Sequence, residues 1–153
     1  MKPEIREKIA RLVHERYRTA RFSSADTGDP SVAEWDKLPE HIKESNRQQA
    51  EDIFVKLYRI GYAATKVDSR PVSLKVFTDE EIEIMAEMEH ARWNDERLRN
   101  GWKPGKTRDV AKKVSPYLAS WSKLPEDIKE WDRQSVRNIP GLLASVGLEI
   151  VAR

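Results

Sequence analysis

Two short segments hold the residues best suited to chemistry: "HERYRTAR", with His14, Tyr17 and Arg21, and "HARWNDER", with His90, Trp93 and Arg97. An aromatic ring and an arginine four positions apart share one face of a helix. Each segment can therefore set a stacking plane beside a guanidinium fork that fits phosphate or carboxylate. A flat ring with an anionic end is the ligand such a pair suits. The competing expectation is packing, with Trp93 in the core and Arg97 paired to a neighbouring carboxylate such as Asp95.

Other chemistries find less support. The chain contains three histidines and no cysteine, so a thiolate metal site and a disulfide are excluded, and His14 and His90 read as structural hydrogen-bonding residues with no metal expected. No Gly-x-Ser-x-Gly elbow or supported Ser-His-Asp order occurs, and "NGWKPGKTRD" (Asn100 to Asp109) lacks the spacing of a phosphate-binding P-loop. It reads as a rigid turn. No catalytic residue, no cofactor and no enzymatic activity are expected.

Charge narrows the partners. Lysine and arginine number 28 against 26 acidic residues, and the two signs alternate along the chain, which argues against a general polyanion or nucleic-acid binder despite five tryptophans and a pI near 8.8. Apolar runs stay far below the roughly 20 residues needed to cross a bilayer. The opening segment "MKPEIREKIARLVHERYR" has no apolar stretch of the signal-peptide kind. A cytoplasmic protein without a membrane segment is the expectation.

The elements that must position these residues are announced by a repeat. "WDKLPEHIKESNRQ" at Trp35 returns as "WSKLPEDIKEWDRQ" at Trp121, and thirteen of the 27 positions from Trp35 to Gly61 are identical to those from Trp121 to Gly147. Ten extra residues in the second copy bring His14 onto His90 and Arg21 onto Arg97. The expected domains are a first repeat over 1–66, a linker over 67–79 containing a strand, and a second repeat over 80–153. Duplicated halves of this kind pack around a pseudo-two-fold axis, so one compact body with its site between the repeats is expected.

Local chemistry sets the elements. Thr78 and Glu81 have capping-box spacing ahead of Ile82, Met85 and Trp93, which predicts a helix. Pro39 and Pro125 suit a first helical turn, Gly61 and Gly147 suit C-terminal stops, and Pro140 with Gly141 must break or restart the last helix. Trp35 and Trp121 read as hydrophobic staples. The tails "YAATKV" and "LEIVAR", and the linker "PVSLKVF", have strand character. The fold class is mainly α, with short β segments at the edges.

Residues 85–151 resemble the ryanodine receptor repeat, or RyR domain. The resemblance rests on His90, Trp93, Arg97, Gly101 with Trp102, Gly105, Asp109, Pro116, the Leu124 to Glu126 turn, Asp132 with Arg133, Leu142 with Leu143, and Gly147. The first repeat retains His14, Tyr17, Arg21, the Leu38 to Glu40 turn, Asn46 with Arg47, and Gly61, and reads as a degenerate partner. The resemblance implies a non-catalytic sensing or interaction module, with an adenine-nucleotide-like ligand between tandem repeats. Carried onto this sequence, the ligand positions are Tyr17, Arg21 and Asn46 in the first repeat and Trp93, Arg97, Ser115 and Asp132 in the second. Asp132 and Ser115 depart from the family's usual Asn. The alternative is a protein-interaction module with a protein partner and no small-molecule ligand.

Overall fold

The computed structural model describes residues 2–22 and 32–153, with backbone only at residues 20–22. The chain is mainly helical, with two short strand pairs. It divides into two compact units, one comprising the residues up to Lys75 together with Pro140–Arg153, the other Val76–Ile139.

In the first unit, α1 (Pro3–Phe22) packs on α2 (Glu40–Arg59). Ile9 and Ala10 from α1, and Ala50, Ile53 and Leu57 from α2, are buried. Between them a 3₁₀ turn at Trp35–Lys37 precedes buried Leu38. Pro39 takes the cap position rather than the first helical turn, with extended backbone (ψ 144°). Its carbonyl accepts from the Ile42 and Lys43 amides, so the helix starts cleanly one residue later than expected. Gly61, at φ 92°, stops it in a conformation that side chains disfavour.

After that stop, β1 (Tyr62–Lys66) pairs antiparallel with β4 (Leu148–Ala152), reached through α5 (Ile139–Ala144). The two strand-prone tails of the sequence are thus each other's partners. Their register sets Ala64 against Ile150, the positions that the repeat itself superposes. The predicted interruption falls at Asn138, and Pro140 then sits in the first turn of α5.

The predicted strand over Pro71–Phe77 does not form. Alternating hydrophobicity is only half of what a strand needs; the backbone must also find an edge to pair with. Here the ribbon hydrogen bonds end with the Val67 amide on the Gly147 carbonyl. Beyond it Arg70 and the Ser73 amide converge on the Glu149 carboxylate at 2.7–2.8 Å. This clasp holds Glu149 down at a pKa of about 2, through the Arg70 pair first and the Ser73 amide second. Leu74 and Val76 are left exposed.

The second unit repeats the design. α3 (Asp79–Arg99) opens with the predicted capping box, the Thr78 hydroxyl accepting from the Glu81 amide and the Glu81 carboxylate from the Thr78 amide. It packs on α4 (Glu126–Arg137), burying Ile82, Met85 and Ala86 with Leu124 and Val136. A second 3₁₀ turn, Trp121–Lys123, leads into Pro125, again at the cap. Between α3 and this turn lies a loop stitched by the two-residue parallel pair β2 (Lys103–Pro104) and β3 (Val114–Ser115). Gly105 packs closely there, and a Cβ in its place would force the Val114 side chain to shift.

Each helix pair is supported by an ion network of the same design. Arg47 reaches back from α2 to Glu7 of α1 (2.8 Å) and along its own helix to Glu40 (2.6 Å) and Glu44 (3.3 Å). Arg133 does the same toward Glu83 (2.8 Å), Glu126 (3.0 Å) and Glu130 (3.6 Å). Both guanidiniums also lie over the matching indole, 5.8 Å from the Trp35 ring and 5.7 Å from the Trp121 ring. These bonds hold Glu7 and Glu83 below the usual carboxylate range. The repeated tryptophans are scaffold: Trp35 is buried, and the Trp121 Nε1–H donates to Glu83.

Candidate functional site

His90 is where the second unit's candidate residues meet. It sits on the inner side of α3, 4% exposed, and its Nε2–H donates to the Ala119 carbonyl at 2.8 Å. His14 makes the same bond to the Ala33 carbonyl at 2.6 Å. Ala33 and Ala119 each lie two residues before the repeated tryptophan. Each histidine therefore latches the incoming chain to its first helix, which is the structural role expected of it.

His90 makes two further contacts. Its ring stacks on Trp93, with centroids 5.7 Å apart and planes 19° from parallel, and its Nδ1 lies 3.6 Å from the Asp132 carboxylate on α4. With Nε2–H committed to a carbonyl, Nδ1 faces the carboxylate favourably only if it too holds a proton. Burial works against a charged His90, yet the Asp132 and Ala119 acceptors prevail and raise its pKa. Burial likewise raises the pKa of Asp132, with His90 opposing. The pair is a proton-holding unit.

One turn further along α3, the Arg97 guanidinium lies 5.3 Å from the Trp93 ring and 5.1 Å from the Trp102 ring. The β2–β3 loop delivers Trp102: its amide bonds the Arg97 carbonyl, and Lys103 bonds the Lys113 carbonyl. Arg97 is thus placed between two indoles, and its N–H fork has no hydrogen-bond or carboxylate partner among the described residues. The expected pairing with Asp95 is not made, because residues two apart on a helix do not face each other. Arg92 takes the nearby carboxylates instead, bonding Glu89 at 2.7 Å and Glu96 at 2.7 Å. A cation that is stacked but not hydrogen-bonded keeps its donors for an anion.

Two further polar groups flank this site. The Asn94 Nδ2–H donates to the Ala119 carbonyl at 3.0 Å, while its Oδ1 is buried without a partner among the described residues. Lys103, Lys106, Arg108 and Lys112 are exposed on the loop that carries Trp102. The loop is cationic in the same stretch that sequence reading treated as a structural turn.

The remaining candidates stand as follows. Ser115 is buried on β3, its hydroxyl accepting from the Tyr117 amide at 3.1 Å. In the first unit Tyr17 is 41% exposed on α1, and Asn46 is buried on α2 with its Nδ2–H donating to the Ile42 carbonyl. The Arg21 side chain lies outside the described residues. Within the second unit the structure brings Trp93, Arg97 and Asp132 into one chain of contacts through His90. Sequence reasoning missed Trp102, Asn94 and the coupling of His90 to Asp132; the Gly101-Trp102 doublet was the one available signal.

No helix among the described residues is long and apolar enough to cross a membrane. Residues 65–152 match the family model described as the RyR domain, as a single domain. That stretch is more than half of the chain and contains the latch, the paired indoles and the strand that closes the ribbon, so the chain belongs to the RyR domain family.

Proposed function

We propose that the chain is a non-catalytic ligand-sensing module, a tandem of RyR-type repeats with a degenerate first copy. Its ligand is a flat anion of the adenine-nucleotide kind, received on the aromatic and arginine face of α3. The observation that carries this reading is Arg97, set against the rings of Trp93 and Trp102 with its N–H fork unfilled among the described residues. A base extends the indole stack while its phosphates meet the fork and the exposed cations of the loop. The buried Asn94 acceptor suits an exocyclic amine. Asp132, turned toward His90, is held away from the phosphates that it would repel.

Thermal unfolding with AMP, ATP, ADP-ribose and cyclic dinucleotides tests this. A ligand at 100 times its dissociation constant adds about 2.7 kcal/mol, and the shift should vanish in Arg97→Gln and Trp102→Ala while unliganded variants remain folded by circular dichroism. Tyr17→Ala and Asn46→Ala examine the first repeat's matching positions in the same assay. Absence of any shift, or an equal shift in Arg97→Gln, rules the reading out.

A further inference from the structure

On α4 an indole stands in solvent. Trp131 is 71% exposed, and the same position in the first repeat is Ser45, so the duplicated helix does not need an aromatic there. A shallow concavity surrounds it, lined by Asp127, Glu130, Trp131 and Gln134. One helical turn before the indole is Asp127, exposed, with no hydrogen bond or ion pair among the described residues; one turn after it is Gln134. Glu130 is engaged by Arg137 and Arg133. The uncompensated charge of the strip is therefore the Asp127 carboxylate, placed beside a bare aromatic face.

A purely apolar partner would bury Asp127 unpaired, and an acidic one would be repelled by it. A lysine or arginine side chain satisfies both groups together, its cation over the indole and its N–H groups on the carboxylate, while Gln134 can meet a partner backbone. We infer that this face of α4 docks a basic peptide segment of a protein partner. The surface is separate from the Trp93, Arg97 and Trp102 site and does not depend on what that site binds.

Fluorescence anisotropy of a labelled hexa-arginine peptide, titrated with the full chain at physiological salt, tests the assignment. Wild type and Trp131→Phe should bind alike. Trp131→Ser, which installs the first repeat's residue, should bind at least tenfold more weakly, as should Asp127→Lys. Hexa-glutamate should not bind. Equal hexa-arginine binding by wild type and Trp131→Ser overturns the inference. So does sedimentation that finds a self-associated chain dissociated by Trp131→Ser, since the face would then belong to a second copy.

Discussion

The two helix pairs, α1 with α2 and α3 with α4, agree wherever a residue holds the chain together and part company wherever one faces outward or inward without a structural duty. Both use a histidine to latch a carbonyl, an arginine to tie two helices through glutamates, and a tryptophan beneath that arginine. They differ at Asn46 against Asp132, Tyr17 against Trp93, and Ser45 against Trp131, and in the longer cationic loop that brings Trp102 to Arg97. Repetition marks scaffold, and divergence marks the places where the second unit acquired its own chemistry.

The comparison breaks most visibly at the latches. Replacing His14 or His90 by alanine opens a cavity and removes a donor from the Ala33 or the Ala119 carbonyl, the latter keeping Asn94, and each should lower stability by about 2–4 kcal/mol. His90→Ala should be the worse of the two in chemical denaturation, because it also unstacks Trp93 and leaves the Asp132 carboxylate without its partner. Equal losses would mean that the Asp132 contact contributes nothing.

Next comes the start of α3. Thr78→Ala removes one arm of the capping box and should cost about 1 kcal/mol by the same measurement. Thr78→Ser should recover most of that loss, since the hydroxyl is what meets the Glu81 amide.

The finest distinction is one of pH. His90 holds its proton more tightly folded than unfolded, with Asp132 and Ala119 as its acceptors. The stability this lends is complete below the ordinary histidine value of 6.5 and is lost as pH rises through the raised value in the folded chain. Asp132→Asn, which copies Asn46, should flatten the melting temperature between about pH 6 and pH 8. Glu149 runs the other way: its clasp contributes above the ordinary glutamate value of 4.5 and fades as pH falls toward about 2. Glu149→Gln should remove that acid limb while leaving the neutral one in place.

Much of this architecture is legible in the residues because it is local. The Thr78 and Glu81 spacing, the two glycine stops and the restart at Pro140 each depend on a handful of neighbours, and each lies where the chain says. The linker strand failed because its pattern speaks of side chains, whereas a strand is decided by an available edge. The site divides in the same way. Trp93 and Arg97 are visible four apart on one helix, but Trp102 reaches Arg97 only through a loop closed by Lys103 and Lys113. The Asp132 contact with His90 crosses from α4 to α3 and leaves no trace in spacing.

The β1–β4 ribbon has a kinetic consequence. Its innermost pair, Lys66 with Leu148, closes a loop of about eighty residues, an entropic cost of roughly 4 kcal/mol before any constant, and Val76–Ile139 lies wholly within that loop. A compact unit formed early between the two strands shortens the chain still free to wander. Folding should therefore proceed from the inserted unit outward, with the ribbon knotting the ends last, and substitutions in β1 or β4 should accelerate unfolding while leaving the folding rate almost unchanged.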